Sequence, residues 1–285
     1  MQLKTVKNIA IVCNPLAGVG RSVTLADVLA EKLTYKNIAH TIFKDVWPQH
    51  FDGFTDVFIS GGDGTLNYFI NQYPGIKLPL VIFKGGTGND FHWLLYGNKT
   101  VEEQLESVLH SELKPVDIGK CNGRYFINGI GIGFEGEVAK ALIGKKKRPG
   151  KTSFLITILT KIFTYRSKKY SIRSAEKALT GKKLLVDISN GRRAGGGFHI
   201  APSAKADDGL FDIVIVDALN SWQRLRYLPV IEKGKHLHLP FINHFRTTNI
   251  DVESDGLIQY HLDGEYYEAK KLEIEILPAA LNFWF

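Results

Sequence analysis

The run Asp56-Val57-Phe58-Ile59-Ser60-Gly61-Gly62-Asp63-Gly64-Thr65-Leu66-Asn67 decides the fold class. Its first part is an apolar run that reads as a buried strand. A glycine turn carrying Asp and Thr follows, and then a stretch with helical character. The same order recurs in Leu80-Val81-Ile82-Phe83 followed by Gly85-Gly86-Thr87-Gly88-Asn89-Asp90-Phe91. Strand, glycine turn and helix in succession is how an α/β sheet cradles phosphate. Glycine lets backbone N–H groups approach an anion, and a helix N-terminus favours negative charge. Two such turns, both carrying Asp, point to a nucleotide-phosphate site with a metal nearby.

Outward from these turns the pattern continues. Ile9-Ala10-Ile11-Val12 reads as a strand ending in Asn14-Pro15-Leu16-Ala17-Gly18-Val19-Gly20, with a helix from Ser22 to Leu33. Ala39 to Phe43 reads as the second strand, 56–60 as the third and 80–83 as the fourth. Helices are expected over 66–73 and 101–111. Strand–helix alternation argues a doubly wound, mostly parallel sheet, whose ligands sit at the carboxyl ends of its strands.

After Pro115 the texture changes. Strand-like runs follow at Tyr125–Ile130, Lys169–Ser174, Leu184–Ser189, Asp212–Val216, Thr248–Glu253, Ile258–Leu262 and Leu272–Leu277. Leu272-Glu273-Ile274-Glu275-Ile276 alternates as a half-buried strand does. Gly and Asp turns between such runs suggest an antiparallel β-sandwich, interrupted by helices near 151–166 and 222–233. The expected fold is therefore α/β plus all-β. A nucleotide-binding α/β domain covers 1–116, with 279–285 returning to it. A β-sandwich lipid-binding and catalytic domain covers 117–278.

Composition bounds the function. The 285 residues are 44% hydrophobic and 23% charged, enough for real cores. The net charge of +7 favours anionic partners. Two cysteines, Cys13 and Cys121, make a disulfide framework improbable and fit a reducing cytosol. Met1 to Val12 has no signal-peptide pattern, and no run of about 18 apolar residues suggests a membrane span. No P-loop motif occurs. Gly131, Gly133 and Gly136 spell a Gly-x-Gly-x-x-Gly, but it opens the β-rich half rather than a βαβ unit, so it does not read as a dinucleotide site. His236 and His238 lack Cys or carboxylate ligands beside them, which weighs against zinc.

Six elements then fall in a telling order: Asn14-Pro15-Leu16-Ala17-Gly18, Gly61-Gly62-Asp63-Gly64-Thr65, Gly86-Thr87-Gly88-Asn89-Asp90-Phe91, Val116-Asp117-Ile118-Gly119, Asp208-Gly209-Leu210-Phe211-Asp212 and Asp263-Gly264-Glu265. In this the chain resembles the diacylglycerol kinase catalytic-domain family, particularly the soluble bacterial lipid kinases, relatives of the sphingosine and ceramide kinases. The resemblance implies a Mg²⁺- and ATP-dependent kinase that phosphorylates a lipid hydroxyl in a cleft between the two domains. By it, ATP would be held by Asn14, Pro15, Gly18, Gly61, Gly62, Asp63, Gly64, Thr65, Leu66, Asn67, Gly86, Thr87, Asn89 and Asp90. Asp63 would orient Mg²⁺ or its waters, with Asp90 and Asp117 joining a water-mediated network. Asp263 or Glu265 would be the general base. Lys205 and Leu210, through their carbonyls, and Asp208 match a metal-binding turn of bacterial members. Independently of the resemblance, Asp263-Gly264 reads as a type I′ hairpin turn.

Two departures from the family pattern stand out. Lys84-Gly85 occupies the place of a usual Pro, and the Thr near the end of strand two is not evident. The expected partners are a lipid with a free hydroxyl, transient contact with an anionic membrane surface and a second copy of the chain; nucleic acid is not expected. The expected location is the cytoplasm, with peripheral attachment to the inner membrane face. The basic stretch Lys145–Lys151, ahead of the apolar run Phe154–Phe163, motivates the membrane contact. The rival readings are an NAD kinase, which also uses Gly-Gly-Asp-Gly, and a non-catalytic nucleotide- or lipid-binding regulator.

Overall fold

The computed structural model describes residues 7–144 and 152–285. The chain divides into two compact units. Unit 1 comprises residues up to Val116 together with Ala280–Phe285, and unit 2 comprises Asp117–Ala279. The basic stretch Lys145–Lys151 and the first six residues lie outside the described residues.

Unit 1 is built from β1 (Asn8–Cys13), α1 (Arg21–Tyr35), β2 (Ala39–Phe43), β3 (Asp56–Gly61), α2 (Asp63–Gln72), β4 (Leu80–Lys84), α3 (Asp90–Tyr96) and α4 (Val101–His110). The strands run parallel in the order β2-β1-β3-β4. Ile9–Cys13, Val57–Ile59 and Leu80–Phe83 are all fully buried. Parallel strands covered on both faces require such continuous apolar runs, because helices pack against each side. The strand order reverses between β1 and β3, so the turns after these two strands open at the switch point of the sheet.

The C-terminal residues are tied into this unit by specific bonds. Phe283 pairs in parallel with Leu80. Trp284 donates from Nε1 to Asp56 at 2.5 Å, and Tyr96 donates its hydroxyl to the Trp284 carbonyl at 3.0 Å. α4 starts on a capping box in which Thr100 and Glu103 satisfy each other's backbone amides.

Unit 2 contains the second half of β5 (Leu113–Cys121), then β6 (Arg124–Phe126), β7 (Gly129–Gly133), α5 (Phe134–Leu142), α6 (Thr152–Thr164), β8 (Lys168–Arg173), β9 (Ala178–Ser189), β10 (Phe211–Asp217), α7 (Ser221–Glu232), β11 (Ile242–Thr247), β12 (Asn249–Leu262) and most of β13 (Glu265–Trp284). The strands pair antiparallel in the order β11-β10-β9-β7-β12-β13, and β8 pairs with both β9 and β12. Ile130, Ile132, Val186, Ile188, Ile213 and Ile215 point into one core with Leu262 and Ile274. The alternate residues Leu185, Val214 and Val216 face a second core under α5 and α6, with Phe134, Ile158 and Ile162. The period-2 alternation thus serves two apolar layers.

Where the elements depart from or add to the sequence reading, the causes are visible. α2 begins at Asp63, because the Gly62 carbonyl accepts from Thr65 N and Leu66 N and so starts the helix inside the glycine motif. Tyr125–Ile130 is not one strand: the amides of 127–129 turn to a side chain described below, which breaks the ladder between β6 and β7. The third Gly-x-Gly-x-x-Gly glycine lies in a helix, α5, where a Cβ would meet the Gln259 carbonyl at 2.2 Å. That glycine serves close helix–strand packing on an antiparallel sheet. Finally, 249–262 is a single strand whose register shifts between Glu253 and Ile258.

Candidate functional site

Unit 1 gathers three glycine turns at the carboxyl ends of β1, β3 and β4. A Cβ on Gly18 would meet the Gly85 carbonyl at 2.1 Å, and one on Gly62 would meet Gly86 Cα at 2.8 Å. Only glycine backbones approach this closely. Gly18 and Gly20 also lie at φ +59 and +86, where other residues are strained. Asn14 accepts Leu16 N at its side-chain oxygen, 3.0 Å, which shapes the first turn. Asn89 closes the third turn reciprocally, accepting Gly86 N at 2.9 Å and donating to the Gly86 carbonyl at 3.0 Å.

Asp63 links the second and third turns. Its carboxylate accepts Asp90 N at 2.9 Å and Phe91 N at 3.0 Å, and so caps α3 from across the sheet. Neither α1 nor α2 has a side-chain cap of its own; their N-caps are Gly20 and Gly62. Two uncapped helix starts among converging glycine turns form an anion-binding arrangement. Arg21 adds a cation. It donates from Nε to the Gly18 carbonyl at 2.9 Å and from Nη2 to the Gly86 carbonyl at 3.3 Å. Sequence reasoning started the helix at Ser22 and missed this residue; an arginine at the first helical position after a glycine turn was the available signal.

The turns divide the sequence-predicted residues. Gly64 and Thr87 are exposed, and Asn14, Pro15, Gly18, Asp63 and Asn89 are half-buried. Gly61 and Gly62, with Gly86, form buried backbone. Thr65, Leu66, Asn67 and Asp90 are buried at 7% exposure or less. Thr65 packs directly over Gly61, where a Cβ would lie 2.4 Å from it. Its side chain fills the space that Gly61 leaves, and Leu66 belongs to the core. Lys84 donates to the Lys99 carbonyl at 2.9 Å, which anchors it away from a purely solvated role.

Unit 2 carries its acidic residues in three places. The first is the β12–β13 hairpin. Asp263 and Gly264 have φ of 49 and 91, and Leu262 pairs with Glu265, so the turn is the type I′ form that Asp-Gly favours. The Asp263 carboxylate accepts Ile127 N and Asn128 N at 2.8 Å and Gly129 N at 2.9 Å. Glu265 is exposed. Asn190, fully buried, extends the network by donating to the Asp117 and Ile127 carbonyls at 2.8 Å.

The second place is the 205–212 turn. Asp117 clamps it: its carboxylate accepts Gly209 N and Ala279 N, both at 2.7 Å. Asp208 accepts Leu210 N at 3.2 Å and is ion-paired with Arg246. Arg246 also reaches Asp212 at 3.3 Å. Burial pushes the Asp212 carboxyl up, but hydrogen bonds from His244 and Ser203 and the charges of His244 and Arg246 hold it below the usual value. A dication at Lys205, Asp208 and Leu210 would have one carboxylate, and that carboxylate already carries a guanidinium.

The third place lies on the helix-covered face of the sheet. His261, Gly131 and Asp187 occupy one row across β12, β7 and β9. A Cβ on Gly131 would lie 2.2 Å from Glu135 Oε2 and 2.4 Å from His261 Nε2. Glu135 Oε2 is buried with no hydrogen-bond partner among the described residues. Burial, with the Asp187 charge adding to it, raises the Glu135 carboxyl well above its usual range. Burial pushes Asp187 up to about 7 despite the Ser189 hydrogen bond, and pushes His261 down to about 4. His261 Nδ1 accepts Gly264 N at 3.2 Å and so braces the hairpin turn. His236 donates from Nε2 to the Ile200 carbonyl at 3.0 Å, and among the described residues no group of three or more His, Cys, Asp or Glu is placed to hold a metal. No described helix is long and apolar enough to cross a membrane.

Comparison with known proteins places these turns in a family. The diacylglycerol kinase catalytic domain model matches residues 8–121, and the YegS C-terminal NAD kinase beta sandwich-like domain model matches residues 128–285, more than half the chain. The chain belongs to the diacylglycerol kinase family. It is a lipid kinase. A Pseudomonas aeruginosa relative named "Probable lipid kinase YegS-like" is 30% identical over 81% of this chain and 76% of its own length. A Mycobacterium tuberculosis relative named diacylglycerol kinase is 27% identical, over 94% of this chain and 92% of its own. A solved structure of a diacylglycerol kinase from Bacillus anthracis superposes with a TM-score of 0.71 at 22% identity, covering 100% of this chain and 98% of that one; this likeness shows the fold alone. The diacylglycerol kinase fold thus includes the α/β and β-sandwich parts read from the sequence.

Proposed function

We propose that this lipid kinase transfers the γ-phosphoryl group of Mg²⁺-ATP to the hydroxyl of diacylglycerol or a related glycerolipid or sphingolipid. The observation that carries the reading is the Asp63 clamp, which fixes two glycine turns against each other beside the open starts of α1 and α2. The triphosphate takes the backbone amides of these turns, with the exposed Thr87 hydroxyl and the Arg21 guanidinium as further donors. Mg²⁺ enters as part of the nucleotide substrate and neutralises the phosphate charge.

The proton of the acceptor hydroxyl goes to the Asp263–Glu265 turn. Three amide N–H groups donate to Asp263, two to Oδ1 and one to Oδ2, and fix the orientation of its carboxylate. Phosphoryl transfer asks more for orientation than for a strong base, so a firmly held carboxylate suits the task. Glu265 shares the turn and is separated from Asp263 by mutation. A peripheral position at an anionic membrane surface in the cytoplasm would bring the enzyme to its substrate.

The test is transfer of label from γ-³²P-ATP with Mg²⁺ into a total lipid extract, with NAD⁺ as a parallel acceptor. Labelled lipid with unlabelled NAD⁺ is the expected result. Labelled NAD⁺ alone would favour the NAD kinase reading, and ATP binding with no labelled product would favour a regulator. Glu265→Gln is expected to retain at least a tenth of turnover, whereas Asp263→Asn loses it by more than about 100-fold. The reverse ranking makes Glu265 the base.

A further inference from the structure

We infer that the outer face of α6 and α7 docks on an anionic lipid bilayer and inserts apolar side chains into it. This deepens the lipid-kinase reading by naming the surface that meets the substrate-bearing membrane. α6 is apolar on two sides. Ile158 and Ile162 are buried in the core beneath it. On the opposite side Leu155, Ile156, Leu159 and Phe163 are 43%, 53%, 37% and 57% exposed. Their spacing keeps them on one stripe of the helix over two turns.

α7 adds exposed apolar side chains beside it. Arg224 donates from Nη1 to the Ile162 carbonyl at 3.0 Å and the Tyr165 carbonyl at 2.8 Å, which locks the start of α7 to the end of α6. α7 then brings Trp222, 76% exposed, and Leu225, 37% exposed. Six large apolar side chains on two joined helices exceed the scatter of single exposed apolar residues that a surface normally shows.

Charge selects the occupant. From 152 to 175 the chain has five Lys or Arg and no Asp or Glu, and from 218 to 231 it has Arg224 and Arg226 and no acid. Lys161 and Lys168 are paired with Glu137 of α5, at 3.0 and 3.8 Å. Arg166, Lys169 and Arg226 are exposed. A symmetric contact with a second copy would set these cations against themselves. An anionic bilayer accepts both the cations and the apolar stripe, and Trp222 is the residue type that sits at the headgroup level.

The experiment is co-sedimentation of the full chain with phosphatidylglycerol–phosphatidylcholine vesicles and with pure phosphatidylcholine vesicles. Three exposed cations imply a preference for the anionic vesicles on the order of 100-fold, falling with salt. Leu159→Ser/Phe163→Ser/Trp222→Ser is expected to weaken vesicle binding more than about 10-fold, with unchanged melting temperature and unchanged turnover of a short-chain, water-dispersed diacylglycerol. Arg166→Glu/Arg226→Glu is expected to abolish the anionic preference. Unchanged vesicle binding in the folded triple variant overturns the inference. So does a wild-type dimer in solution that this variant converts to a monomer. The vesicle measurement needs no ATP, so it stands even if no lipid is ever phosphorylated.

Discussion

Replacing Asp63 by alanine removes two charge-assisted hydrogen bonds, at 2.9 and 3.0 Å, from the first turn of α3. Bonds to an ionised acceptor contribute roughly 1.5–3 kcal/mol each, and the half-exposed setting argues for the lower end. The carboxylate at a helix N-terminus adds a few tenths of a kcal/mol more. The total loss is about 3 kcal/mol, or a melting-temperature drop of about 10 °C for a unit of this size. Asparagine does no better, because its amide group would face one of the two N–H donors it must satisfy. The loss appears without nucleotide or metal, since both partners are backbone amides. ATP affinity, measured by calorimetry on the folded variant at low temperature, falls at least 10-fold as the third turn loosens. Thr87→Ala is the control: its side chain is exposed, so it leaves stability alone and weakens only ATP binding. An Asp63→Asn protein that melts within about 1 °C of wild type without nucleotide would refute the clamp and return Asp63 to a purely metal-binding role.

Other consequences can be measured directly. Gly131→Ala drives a methyl group into Glu135 Oε2 and His261 Nε2, and should cost about 1–3 kcal/mol in denaturant unfolding. Asp187 titrates near 7 in the folded chain against an ordinary 3.8. The folded state therefore holds the proton more tightly. Stability should be highest below pH 4 on this group's account and fall through pH 7, by an amount on the order of a few kcal/mol; Asp187→Asn should flatten that slope. Mg²⁺ without nucleotide should leave the melting temperature unchanged, because Arg246 holds the Asp208 turn. Arg246→Ala, which removes the guanidinium shared by Asp208 and Asp212, should be less stable than wild type and newly responsive to Mg²⁺.

Much of this was legible in the chain. Parallel strands buried on both faces must be unbroken apolar runs, so Ile9–Val12, Val57–Ile59 and Leu80–Phe83 announce themselves, and the glycine turns after them follow from backbone chemistry alone. Asp-Gly at 263–264 fixes a hairpin locally. These features depend on residues within a few positions of one another, where propensity and periodicity speak. What tertiary structure decided lies farther apart. Asp63 caps a helix 27 residues on, and Asp263 recruits amides 134 to 136 residues away, which breaks an apparently continuous strand at 127–128. Thr65 turns inward because Gly61 leaves it room, Arg21 finds the Gly86 carbonyl across 65 residues, and Arg246 pairs with Asp208 across 38 residues. An ionised side chain carries no mark of which distant amide or cation will satisfy it. Only folding, by burying the alternatives, makes that choice.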